Sequence, residues 1–135
     1  MKIVNFAEKN SELNRFVAEI RDIHIQQDRL RFRKNLERIG EVMSYEISKD
    51  FRYSEKLVTT PLGTARVNTA DDKIVIGTIL RAGIPYHQGF LNYFDQAENA
   101  FVSAYRKYKD KLNFEIFIEY IASPRIDGKI LILTD

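Results

Sequence analysis

Apolar residues along this chain recur first at helical spacing and then at strand spacing. Leu13, Phe16, Val17 and Ile20 stand at i, i+3, i+4 and i+7, which predicts a helix over about 11–22 with Asn10 or Ser11 as its cap. Phe32, Leu36, Ile39, Met43 and Ile47 make one stripe, with Arg31, Lys34, Glu37, Arg38 and Glu41 off it, predicting a longer helix over about 27–49. Two such helices in tandem must bury their stripes, most simply on a sheet that comes later. The period then changes. Lys56-Leu57-Val58-Thr59 and Thr64-Ala65-Arg66-Val67 flank Thr60-Pro61-Leu62-Gly63, a turn with proline at a fixed φ and glycine where φ can become positive. An isolated hairpin is marginally stable, so this one is expected to pack on its own domain or on a partner subunit.

From Lys73 the pattern becomes strand, helix, strand. Lys73–Leu80 is a near-continuous apolar run, as expected for a strand covered on both faces. Gly83 to about Asp95 has helical character, with Ile84 and Pro85 in its opening turn. Ala100–Tyr105 suits a strand, Lys107–Lys111 a polar connection, and Leu112–Tyr120 another strand. After the turn Asp127-Gly128, Lys129–Asp135 reads as a buried parallel strand, near the middle of the sheet once later elements cover a face and an edge; without them apolar surface and an open edge are expected. No repeat or linker interrupts this order. The expectation is one α/β domain over 1–135, with a helical part (1–50), a hairpin arm (56–67) and an α/β core (73–135).

Composition narrows the class. With 44% hydrophobic and 30% charged residues the chain is globular, and a net charge of +2 gives no strong attraction to nucleic acid. Cysteine is absent, which excludes disulfides and thiolate metal sites, and His24 and His87 lack zinc-binding spacing. No apolar run has signal-peptide or membrane-spanning character. A cytoplasmic protein with no membrane partner is expected.

Three positions lie where strands give way to loops: Arg81, Arg106 and Asp135. Ligands in open α/β sheets bind just beyond the carboxyl ends of strands. Arg81 precedes Ala82-Gly83, small residues that let backbone amides approach an anion at a helix N-terminus, and arginine's planar fork suits phosphate. Arg106 closes the next strand in a basic stretch. Asp135 suits either a ribose hydroxyl pair or a hydrated Mg²⁺. Taken singly, each arginine is more often a solvent-facing charge and Asp135 an ordinary loop residue. By the same weighing His87 packs along its helix, the aromatic run Phe114–Tyr120 is core before it is a nucleobase platform, and Glu119 is a strand-edge charge.

In combination these segments resemble uracil phosphoribosyltransferases over essentially the whole chain. The carriers are Arg31-Phe32-Arg33, Leu36-Glu37-Arg38-Ile39-Gly40, Tyr45-Glu46, Thr60-Pro61-Leu62-Gly63, Ile79-Leu80-Arg81-Ala82-Gly83-Ile84-Pro85, Tyr105-Arg106 and Asp127-Gly128-Lys129. The resemblance implies a type I phosphoribosyltransferase-like parallel sheet with two N-terminal helices and a protruding hairpin arm, incomplete at the C-terminus. It implies transfer of ribose 5-phosphate from phosphoribosyl pyrophosphate to uracil, giving UMP and pyrophosphate, with Mg²⁺ accompanying the donor. Arg81, Ala82 and Gly83 would hold the pyrophosphate, Arg106 would add a second cation, and Asp135 would lie near the ribose. Asp135 matches the first residue of the family's Asp-Pro-Met-Leu-Ala-Thr-Gly loop; the rest of that loop and the uracil-reading segment do not occur in this chain. No catalytic residue or uracil-binding residue is therefore assigned, and the chain alone is expected to be inactive. Family members often carry Asp after the Tyr-Arg pair, where this chain has Lys107. The arm implies a homodimer or larger oligomer. The alternative is a non-catalytic pyrimidine-nucleotide sensor or RNA-binding regulator, for which Arg29, Arg31, Arg33, Lys34 and Arg38, interleaved with Asp28 and Glu37, are the candidate basic face.

Overall fold

In a computed structural model that describes residues 2–108 and 113–135, helices α1 (Leu13–Arg21) and α2 (Arg29–Ser48) lead into an antiparallel hairpin of β1 (Tyr53–Thr60) and β2 (Gly63–Ala70). Then follow β3 (Ile74–Leu80), α3 (Ile84–Tyr93), β4 (Glu98–Tyr108), β5 (Phe114–Ala122) and β6 (Ile130–Thr134). The polar connection expected at Lys109, Asp110 and Lys111, and the strand start expected at Leu112, lie outside the described residues. Lys107 belongs to β4 rather than to a connection.

Asp28 caps α2, its carboxylate accepting from the amides of Leu30 and Arg31 at 3.0 Å each. Neither Asn10 nor Ser11 caps α1: its N-cap is Glu12, whose side chain makes no capping bond and pairs with Arg15 instead. The turn between β1 and β2 places Gly63 at φ +131°, a value that a residue with a Cβ rarely adopts. The hairpin forms its own two-stranded sheet, and Leu57 and Leu62 are 70% and 100% exposed.

The main sheet has the order β5-β4-β3-β6, with β4 and β6 parallel to β3 and β5 antiparallel to β4. The parallel pairing expected holds for β4, β3 and β6, and β5 adds an antiparallel edge strand. Only residues 109–113 separate β4 from β5, and a parallel return needs a crossover of a dozen or more residues.

The core lies on one face of this sheet, where Ile76 and Ile132 meet Phe90 of α3. Met43 and Ile47 of α2 reach the same cluster, so part of the α2 stripe is buried on the sheet as expected. The rest packs on other helices: α2 crosses α3, and α1 lies on α2. The stripe also contains buried polar residues. Asn35 donates to Glu19 Oε2 at 2.6 Å and accepts from Arg38 at 3.0 Å, while Ser44 donates to the Gly40 carbonyl at 2.8 Å.

Burial of the opposite face is uneven: β3 is buried on both faces over Val75–Thr78, as expected, whereas Ile79 and, on β6, Leu131 and Leu133 are exposed. Among the described residues β6 is the last strand on its side of the sheet. The aromatic run of β5 lies on the opposite edge, with Phe114, Phe117 and Tyr120 exposed, and is not core.

Candidate functional site

Strand order decides where a ligand can sit. From β3 the chain passes through α3 to β4 on one side, yet β6 joins β3 on the other. The winding thus reverses between β3 and β6, and a crevice opens outside their carboxyl ends at such a reversal. Two of the expected site segments flank it. Arg81-Ala82-Gly83 follows β3, and Thr134-Asp135 ends β6. Thr134 is in register with Thr78, which brings Asp135 level with Ile79, beside the turn.

Arg106 stands on the same edge of the sheet but farther out. The β3–β4 ladder ends at the pair Leu80 and Ser103, so Arg106 lies three residues beyond it, about 10 Å along the strand at its usual rise. There it rides on the β4–β5 hairpin, its guanidinium 5.0 Å from the ring centroid of Phe114. Arg81, Arg106 and Asp135 are all exposed, and none of them pairs with another among the described residues.

The turn after β3 is built for tightness. The amide of Gly83 donates to the Ile79 carbonyl at 3.3 Å, Ile84 N–H to Arg81 at 3.3 Å, and His87 N–H to Gly83 at 2.9 Å, which starts α3. No protein acceptor engages the amides of Arg81 or Ala82 among the described residues. The Leu80–Arg81 peptide bond is cis. Gly83 itself has an ordinary φ of −70°. Its lack of a Cβ serves packing below the turn rather than an approach from outside, because a Cβ there would collide with the Thr78 hydroxyl.

Thr78 and Thr134 are the two residues that sequence reasoning missed. Both are 2% exposed. Thr78 Oγ1 donates to the Thr134 carbonyl at 2.9 Å, and Thr134 Oγ1 donates to the Gly77 carbonyl at 3.2 Å. A hydroxyl in each of two apolar strands, just before the two candidate loops, was the available signal.

His87 is buried on α3 and shares a 2.7 Å hydrogen bond with Asn99 Oδ1. An amide oxygen only accepts, so Nε2 carries the hydrogen, and the buried Nδ1 has no partner among the described residues. Its ring lies against Phe101, in keeping with a packing role. The α2 cations are also engaged. Arg31 pairs with Glu19 at 3.2 Å and Lys34 with Glu37 at 2.7 Å, so two of the five cations of the expected basic face are paired within the helices. A hydrogen bond from Asn35 is the main reason that Glu19 titrates below its ordinary value.

A groove of about 580 Å³ lies at the opposite, amino-terminal end of the sheet. Two of its carboxylates are paired at the base of the hairpin. Arg52 holds Asp72 through its amide at 2.6 Å and its Nε at 2.8 Å, and Lys56 meets Asp71 at 3.1 Å. The Arg52 amide, followed by its side chain, keeps the Asp72 carboxyl below its usual pKa.

Among the described residues no group of three or more acidic or histidine side chains could cage a metal ion. A single carboxylate at the crevice, Asp135, fits instead a Mg²⁺ held chiefly by the phosphates of a substrate.

Comparison with known proteins bears on this edge. The family model described as uracil phosphoribosyltransferase matches residues 7–135. A uracil phosphoribosyltransferase of Porphyromonas gingivalis is 62% identical over 135 residues, which is 100% of this chain and 62% of that protein. One from Methanothermobacter thermautotrophicus is 40% identical over 106 residues, covering 77% of this chain and 48% of that protein. A solved structure of a protein from Aquifex aeolicus superposes with a TM-score of 0.79 at 30% identity, over 94% of this chain and 59% of that one. The chain thus spans less than two thirds of the length of these relatives.

Proposed function

The chain belongs to the uracil phosphoribosyltransferase family, and on that premise we propose that the complete protein transfers ribose 5-phosphate from phosphoribosyl pyrophosphate to N1 of uracil. UMP and pyrophosphate are the products, and pyrimidine salvage is the role. One observation carries the reading: the Arg81–Gly83 turn and Asp135 come from different strands and flank the winding reversal between β3 and β6.

On this reading the donor's pyrophosphate sits over the turn, where the Arg81 guanidinium and the unengaged amides of Arg81 and Ala82 meet it at the start of α3. Asp135 faces the ribose hydroxyls. Arg106 closes from the β4–β5 hairpin as a second cation. The bond from ribose C1 to pyrophosphate breaks, with the electron pair leaving on pyrophosphate, while uracil N1 bonds to C1 and its proton passes to water. Charge grows on the leaving oxygen, so donors aimed there lower the barrier more than they stabilise the bound substrate. When bound with the donor, Mg²⁺ neutralises part of the same charge. No general base is assigned among the described residues, and none is required if pyrophosphate departs from C1 before N1 attacks.

A cytoplasmic location and a homodimer or larger assembly belong to the same proposal. Supporting the assembly, the hairpin stands in its own sheet with Leu57, Val58, Leu62 and Val67 exposed. Residues 1–135 form part of one phosphoribosyltransferase domain on this reading.

The test is UMP formation from labelled uracil, phosphoribosyl pyrophosphate and Mg²⁺, comparing residues 1–135 with the complete protein. Product from the complete protein is expected, with little or none from residues 1–135. No product from the complete protein would sink the proposal.

A further inference from the structure

We propose that Thr78 is a positioning residue for the phosphoribosyl donor: its hydroxyl pins the Arg81–Gly83 turn and the end of β6 to each other. The inference rests on the function proposed above. Three elements meet at this one oxygen. Thr78 belongs to β3, its Oγ1 donates to the Thr134 carbonyl on β6, and Gly83 at the N-cap of α3 rests directly on it. The Thr134 hydroxyl returns a bond to the Gly77 carbonyl, so one rung of the ladder is closed in both directions by side chains.

The clamp stands at the last rung of the β3–β6 ladder, one residue before Asp135. A donor gripped by its pyrophosphate at Arg81 and by its ribose at Asp135 needs the two gripping points at a fixed separation, and small displacements at such points are costly.

Threonine's shape sharpens the argument. Valine has nearly the same volume but carries no donor. Only the hydroxyl can donate to the Thr134 carbonyl, and a methyl in its place would press on Gly83. A buried acceptor that loses its donor is destabilised locally. The Arg81 turn and Asp135 would then drift apart, with no direct change at uracil.

The experiment uses the complete protein and reads two quantities: steady-state constants for each substrate, and calorimetric binding of phosphoribosyl pyrophosphate with Mg²⁺. Thr78→Val is expected to raise donor KM and donor Kd about tenfold, as expected for loss of one buried hydrogen bond at a positioned site, with uracil KM unchanged. Thr78→Ser keeps the hydroxyl and should restore donor affinity to near the wild-type value. Thr134→Val removes the reciprocal bond without touching the Gly83 contact; it should raise donor Kd about threefold and decides the matter if Thr78→Val does not fold. Unchanged donor constants in the valine variants would overturn the inference, as would a serine variant as weak as valine or an equal rise in both KM values. A wild-type protein that neither binds donor nor forms UMP would overturn the proposed function, and this inference with it. An active wild type with an unaffected Thr78→Val would overturn the inference alone.

Discussion

Replacing Gly89 with alanine should loosen the seat of α3, the helix that begins at the Arg81–Gly83 turn. α2 and α3 cross with Gly40 against Gly89. A Cβ on Gly89 would stand 3.0 Å from Gly40 Cα and 2.9 Å from the Glu37 carbonyl carbon, with the Glu37 oxygen nearer still. A Cβ on Gly40 would meet the Tyr86 carbonyl oxygen at 2.6 Å. Ordinary contact begins near 3.4 Å, and the obstacles are backbone atoms that cannot swing aside, so the helices must part. Overpacking costs about 1–3 kcal/mol, and backbone obstacles place this case at the upper end. Alanine's better helix propensity returns about 1 kcal/mol. The net loss is about 2 kcal/mol, which lowers a urea midpoint by about 1 M for a denaturant slope of about 2 kcal/mol per molar. Urea unfolding of the complete protein, followed by circular dichroism, measures it. Gln88→Ala, one residue away and exposed, should stay within about 0.5 kcal/mol of wild type. A Gly89→Ala midpoint at or above wild type would refute the close-crossing argument.

At the proposed site, Arg81→Ala in the complete protein should raise donor KM about 10- to 100-fold, the effect of losing a charged hydrogen bond worth about 1.5–3 kcal/mol. Arg81→Lys should recover only part of this, and an unchanged donor KM would remove Arg81 from the pyrophosphate site. Because Arg52 lowers the pKa of Asp72 in the folded state, its stabilising effect is present above the ordinary carboxylate value of about 4 and is lost as pH falls through the lower folded value. Unfolding midpoints measured across that acid range should therefore fall less steeply for Asp72→Asn than for wild type, and parallel acid limbs would contradict the pairing. On the hairpin, Leu57→Asp should shift the complete protein toward monomer in sedimentation velocity, and an unchanged mass would count against the arm as an assembly contact.

Much of the local structure is legible in the chain. The stripe from Phe32 to Ile47 specifies α2, the run Ile74–Leu80 specifies β3, and Pro61 with Gly63 specifies the hairpin turn, because each pattern reflects interactions within a few residues. Arg81-Ala82-Gly83 could likewise be placed at a strand end, and its resemblance to a known motif pointed to phosphate. The aromatic run of β5 misled for the same local reason: period and composition identify a strand but not whether anything lies on its faces.

What the sequence by itself determined is therefore the elements, the family and the residue types at the candidate edge. Tertiary structure alone decided that β6 joins β3 on the side away from β4, the winding reversal that sets Asp135 beside the Arg81 turn. It alone revealed that Gly83 is glycine because Thr78 lies beneath it, and that Gly40 and Gly89 let α2 approach α3. The physical reason is range. Helical and strand periodicities arise from neighbours along the chain, whereas the β3–β6 pairing, the α2–α3 crossing and the Thr78–Thr134 clamp depend on residues more than forty positions apart, whose pairing is fixed only when the whole core packs.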